Sequence, residues 1–288
     1  MIYLLLSILS STVIFVVFRL YNRYGVNTLQ AIIVNYYVAC TVGFFGYIKA
    51  GRLSHITSEA WFPGVLVLGA LFILVFYLAA LTTQRSGLSV VSVATKMSVA
   101  IPVFCGIFLY NESTGFLKIL GIILALAAVY LTSIKSKKGI SIKKKNLILP
   151  LLVFLGSGII DTTIKFLETT YVAEDDVGFF SSSIFAVAGI IGTSILIVQG
   201  FTGKLKIRGK NILGGIALGI PNYFSIYFLV MALRSPMFES SVLFTINNVG
   251  IVLASTLLGI MLFKEELIRK NWIGVALAII GILMVANA

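Results

Sequence analysis

The sequence predicts an all-α integral membrane protein with ten transmembrane helices, arranged as two inverted five-helix repeats. Three observations predict it. Of 288 residues, 59% are hydrophobic and 11% charged, and ten long apolar stretches hold most of the chain. These runs are continuous rather than alternating, which selects helices over a membrane barrel. A basic segment at 135–146 then splits the chain into two halves of nearly equal length.

Each span follows from an interval without charge. A helix needs about 20 mostly apolar residues to cross the hydrocarbon core, and lipid offers no partner to a backbone N–H or C=O. The uncharged interval 1–18 gives a span near 2–19, closed by Arg19. It lacks the positive start and small-residue cleavage site of a signal peptide, so it reads as a span. Intervals 24–48 and 60–84 give spans near 27–48 and 62–83. The fourth, 88–110, lies in an interval broken only by Lys96, and the fifth runs near 116–134. In the second half the spans fall near 147–168, 177–199, 211–233, 239–262 and 270–287. Cys40 and Cys105 lie within spans and read as small hydrophobes.

The net charge is +12, with the basic residues in helix-flanking loops. That placement suits anchoring and orientation in a bilayer rather than nucleic-acid binding. The run KSKKGISIKKK at 135–145 is suited to anionic lipid headgroups. The connections are too short for a soluble domain.

The halves, 1–134 and 147–288 around the linker 135–146, resemble one another. A shift of 153 positions sets Glu112 on Glu265, Gly106-Ile107 on Gly259-Ile260 and Gly121 on Gly274. VFRLYN around Arg19 and TIKFLE around Lys165 each put a basic residue near the end of an opening span. An odd number of spans per repeat inverts the second unit relative to the first. Such architecture is typical of secondary transporters, whose sites lie near the midplane between repeats.

GIFLYNESTGFLKILGIILALAAVYL and GIMLFKEELIRKNWIGVALAIIGILMV share one pattern: a helix ending in an acid, a short polar turn, then a Gly- and Ala-rich helix. With the basic residues closing spans one and six, this resembles the five-helix units of the drug/metabolite transporter superfamily, in its EamA-like ten-helix permease branch. The resemblance covers essentially the whole chain. It implies a carrier of small metabolites, often amino acids or related solutes, working by alternating access in the cytoplasmic membrane, with export as the direction that family analogy suggests. It also implies termini inside. The charge bias implies the reverse, because Arg19, Arg23, Arg85 and the lysines of 135–145 collect on the face opposite the termini.

Lys96 is the most informative side chain. A cation about 12 Å along a span costs about 2.5–3.5 kcal/mol on insertion scales, so it should face protein or water. Ser89, Ser92 and Lys96 share one helix face. This stripe either lines a cavity, with Lys96 attracting a substrate carboxylate, or Lys96 forms a structural ion pair or snorkels to the interface. Asp161 has Lys165 four residues on, the order that favours an intrahelical pair; a contact with Lys96 and a coupling role stay open. Arg19 belongs with this ion-pair group. In span nine, Thr245 and Asn248 share a face, as hydrogen-bonding or cavity-lining groups. Asn222 and Tyr223 in span eight, Tyr77 in span three, and Asn35 and Tyr36 in span two are candidates for an aromatic, hydrogen-bonding wall. Glu112 and Glu265 are expected to meet basic loop residues or helix N-termini.

The one histidine, His55, falls in a loop, and no metal-spaced cluster, phosphate loop or nucleophile triad occurs. No cofactor, metal or catalytic residue is expected. The expected partners are a small-molecule substrate, the lipid bilayer, and an ion or proton if transport is coupled. The rival readings are an integral-membrane enzyme acting on lipid-linked substrates and a non-transporting assembly partner. Rocking of the first half against the second is the expected motion.

Overall fold

A computed structural model describes residues 1–45, 56–86, 94–133, 148–201, 208–235, 237–263 and 268–287. The linker 135–146, Ser89, Ser92 and Glu265 lie outside them, as does the side chain of Arg19. The described residues form helices without strands: α1 (Ile2–Tyr24), α2 (Thr28–Phe44), α3 (Phe62–Ser86), α4 (Ala100–Leu109), α5 (Phe116–Ser133), α6 (Ile148–Thr170), α7 (Val177–Phe201), α8 (Gly209–Leu233), α9 (Ser240–Phe263) and α10 (Arg269–Ala286). Six helical runs are long and apolar enough to cross a membrane, in α3, α6, α7, α8, α9 and α10. The apolar helical runs Ile2–Phe18, Thr28–Phe44, Ala94–Leu109 and Phe116–Leu131 are shorter.

The outer surface is apolar. On α1, Leu5, Leu9 and Val13 recur every four residues and are exposed, while Leu4, Ser7, Ile8 and Thr12 on the other face are buried. Buried hydroxyls turn back on their own helices. Ser181, Ser182 and Ser183 of α7 donate to the carbonyls of Val177, Gly178 and Phe179 at 2.6–2.8 Å.

Span four is not one continuous helix. Residues 94–97 form a helical turn, the chain turns at 98–99, and α4 starts at Ala100. Pro102 accounts for the break: it has no N–H for the carbonyl of Ser98, and its ring crowds that carbonyl. The Ile101 N–H takes the Ser98 carbonyl instead at 2.9 Å, and the Ser98 hydroxyl donates to Thr95 O at 2.6 Å. Lys96 therefore sits two residues before a break in its helix.

The two sequence halves do not form separate bundles. α8 packs against α1 and α2, and α3 packs against α6 and α7. α5 pairs with α10, α2 with α7, α4 with α6 and α9, and α1 with α9. Close approach needs missing side chains. A Cβ on Gly121 of α5 would lie 3.0 Å from Gly281 O of α10, and one on Gly281 would lie 3.0 Å from Gly121 O. Gly215 and Gly219 of α8 likewise rest on the Ala31 and Asn35 carbonyls of α2.

Candidate functional site

Three polar groupings hold the helices together, and one of them contains Lys96. Its side chain is buried, 8% exposed, and its ammonium donates to Asn248 Oδ1 of α9 at 3.3 Å. The Phe15 ring of α1 lies 5.1 Å from the same nitrogen, within cation–π range. Asn248 is held in turn by its amide N–H, which donates to Phe244 O at 3.1 Å. Asp161 lies on α6 and is partly exposed. Gly158, one turn before it, lets α6 close on Ile101 of α4. The site thus draws on α1 and the turn before α4 from one half, and on α6 and α9 from the other.

Asp161 and Lys165 do not form the intrahelical pair that their spacing suggests. Lys165 pairs with Glu168 at 3.3 Å and also donates to Leu233 O at 3.4 Å. Glu168 is buried and takes a second cation, Arg234 of the chain after α8, at 3.3 Å. Phe15, Glu168 and Arg234 were not among the predicted site residues. Only Glu168 had a local signal, three residues after Lys165.

The second grouping joins α2 to α8. Asn222 Nδ2 donates to Asn35 Oδ1 at 3.0 Å, and Asn211 Nδ2 donates to Gln30 Oε1 at 2.6 Å. Asn35 and Asn222 therefore bond one another across a close helix contact. Tyr36 is fully buried between Phe76 and Phe185, and Tyr223 stacks on Tyr227 at 5.8 Å. Tyr77 is 48% exposed and is not packed into the buried aromatic cluster around Tyr36. Thr245 is fully buried and donates to Ser241 O at 2.7 Å.

The third grouping lies at the end of the bundle where α4 finishes and α5 and α9 begin. Asn111 adopts the left-handed conformation, φ 51°, and turns the chain so that Glu112 lies back against Gly106. The Glu112 carboxylate accepts from the N–H groups of Ser240 and Ser241 at 3.0 and 3.1 Å and from both hydroxyls. It caps the N-terminus of α9, as expected for this glutamate. Lys118, 1% exposed, pairs with Glu112 at 3.5 Å and with Glu239, which itself accepts from Ser113 N–H at 3.0 Å. Burial pushes the Glu112 carboxyl up, but the hydrogen bonds from Ser240 and Ser241 and the Lys118 charge outweigh it and hold the pKa below its ordinary value. The Glu239 carboxyl is likewise raised by burial and lowered on balance by Lys118 and Ser113.

No family model matches the chain. A Haemophilus influenzae protein of uncharacterized function is 25% identical over 284 residues, which is 97% of this chain and 95% of that one. A crystal structure of another protein matches with a TM-score of 0.80, over 98% of this chain and 94% of its own, at 13% identity. That likeness is one of fold. It extends over nearly the whole of both chains, so the helices belong to one architecture from end to end.

Proposed function

We propose that this protein is a secondary carrier of a small polar or amphipathic metabolite, built from ten membrane helices in two inverted repeats. The observation that carries the reading is Lys96. A cation is kept at high cost inside an apolar-surfaced bundle, between the two halves of the chain and beside a helix break. Discontinuous helices at a repeat interface are where carriers hold their solutes.

The packing order supports the repeat. Exchanging α1–α5 with α6–α10 turns α1·α8 into α6·α3, α2·α8 into α7·α3, and α1·α9 into α6·α4; the pairs α2·α7, α4·α9 and α5·α10 map onto themselves. A two-fold relation between the halves gives that pattern. Because α3 and α8 each pack with the opposite half, rigid rocking of one sequence half against the other is not the motion this packing favours. The moving bodies are mixed: α1, α2 and α8 on one side, α3, α6 and α7 on the other. The resemblance to the drug/metabolite transporter superfamily supports the same reading, with amino acids or related solutes as the class and export as the direction.

Counterflow into proteoliposomes tests it. Saturable uptake of a labelled metabolite above that of empty vesicles is expected, and Lys96→Met should reduce it at equal folded yield. No saturable flux across amino acids, nucleosides, organic acids, amines and sugar derivatives would remove the carrier reading.

A further inference from the structure

We infer that Glu168, held between Lys165 and Arg234, is a latch that shuts the carrier at the end of the bundle where α6 and α8 finish, so that the solute path opens at the other end. The inference rests on the carrier reading and concerns its conformational states rather than its solute. The latch joins the last turns of α6 to the residue after α8. The Arg234 guanidinium lies 3.3 Å from the Glu168 carboxylate and donates to the carbonyls of Glu168, at 3.4 Å, and of Val172. Lys165 pairs with the same carboxylate at 3.3 Å and reaches across to Leu233 O of α8 at 3.4 Å. Glu168 is buried, so little water competes for these charges. One turn behind, Ile164 of α6 and Val230 of α8 are fully buried in one apolar cluster. The Lys165 ammonium also stands 6.0 Å from the Tyr110 ring, beside the turn that carries Glu112. Tyr3 of α1 stacks on Phe228 of α8 at 6.2 Å, which puts the start of α1 at this same end.

The two halves differ at this point. Packing gives their correspondence. Gly64 of α3 closes on Leu167 of α6 as Gly214 of α8 closes on Tyr21 of α1, and Gly69 of α3 rests on Val187 of α7 as Gly219 of α8 rests on Val38 of α2. The register that sets Tyr21 on Leu167 also sets Phe18 on Ile164, Arg19 on Lys165 and Asn22 on Glu168. The register that sets Gly64 on Gly214 and Gly69 on Gly219 sets Gln84 on Arg234. Exchanging α6 and α8 for α1 and α3 therefore turns the latch into Arg19, Asn22 and Gln84, a set without an acid. In inverted repeats that counterpart belongs to the opposite end. There α1 meets α3 through the Phe18 and Phe76 rings, tilted at 6.3 Å, and Phe18 is partly exposed where Ile164 is buried. Opening the latched end means parting Glu168 from Arg234 in a medium of low dielectric, a cost that the sequence does not repeat at the other end. The resting state is the one shut at the latch.

Labelling by a membrane-impermeant maleimide tests the latch, on the full chain in lipid nanodiscs, where the reagent reaches both faces, with Cys40 and Cys105 replaced by alanine. Ile164→Cys, behind the latch, and Phe18→Cys, at the equivalent place, report the two ends. With the latch intact, Phe18→Cys is expected to react at least about tenfold faster than Ile164→Cys. Glu168→Gln leaves two cations facing each other; it should raise the Ile164→Cys rate at least about tenfold and lower that of Phe18→Cys. Glu168→Asp should keep the original order. Asn22→Glu, which supplies the missing acid three residues after Arg19, should shift both rates in the same direction as Glu168→Gln without touching the latch, and it decides the matter if Glu168→Gln fails to fold. Rates that neither variant moves would overturn the inference. Labelling needs no solute, so counterflow of the same variants in proteoliposomes separates the two readings. Unmoved rates with saturable flux sink the latch and leave the carrier; moved rates without flux of any solute leave two conformers joined by a latch and sink the carrier reading.

Discussion

Glu112 reaches from the turn after α4 to accept the Ser240 N–H at 3.0 Å, so an acid of the first half caps a helix of the second. The partners are 128 residues apart. The same carboxylate takes Ser241 and Lys118, which ties the starts of α5 and α9 at one end of the bundle.

Glu112→Ala should therefore destabilise the protein by about 1–3 kcal/mol, from a lost cap and a buried lysine left with one acid fewer. Thermal unfolding in detergent checks this. Glu112→Gln should keep part of the loss at bay, because its amide oxygen still accepts from α9.

The same group predicts a dependence on pH. The folded-state pKa values of Glu112 and Glu239 lie below their ordinary values. Their contribution is then fully present above the unfolded carboxylate range and is lost as pH falls through the folded values. The stability gap between wild type and Glu112→Gln should be constant from neutral pH down to about 5.5 and shrink in more acidic buffer. A gap that widened on acidification would contradict the assignment.

At the central site, Lys96→Met should abolish or strongly weaken solute binding and leave the yield of monodisperse protein unchanged. Asn248→Ala should weaken binding less, since it removes only the group that orients the ammonium. Binding measured by thermal shift against the transported solute separates the two. A folded Lys96→Met protein with unaltered affinity would take Lys96 out of the site.

Two tyrosines should behave unlike the aromatic wall that their sequence neighbourhoods suggest. The buried hydroxyl of Tyr36 has no hydrogen-bond partner among the described residues, so Tyr36→Phe should be neutral or stabilising by about 1 kcal/mol. Tyr77→Leu should leave stability unchanged, because that ring is half exposed and stands apart from the buried core. A transport defect in Tyr77→Leu with normal folding would place this residue in the solute path.

Much of the architecture is legible in the sequence. Charge-free intervals locate the helices because the cost of burying charge in lipid is local and large. The predicted ends mostly lie within a few residues of those observed, as at Ser240 and Leu233. The break before α4 was also written there, in Pro102, but a continuous apolar interval masks it when hydrophobicity alone is read. Lys96 and Asn248 stand out from sequence as polar groups in apolar runs, and the fold brings them together.

The rest depended on the fold. Asp161 and Lys165 have ideal spacing for a pair, yet Glu168 takes the lysine, and it also takes Arg234 from 66 residues away. Asn35 and Asn222 read separately as pocket lining; packing of Gly215 and Gly219 against α2 makes them partners of each other. By itself the sequence determined the helical class and the apolar exterior, because these follow from short-range patterns of polarity. Only the tertiary structure decided which charges meet, that α3 and α8 pack with the opposite half, and which tyrosines turn inward. Partner choice is a competition among groups distant in the chain, and helix packing alone brings those competitors within reach.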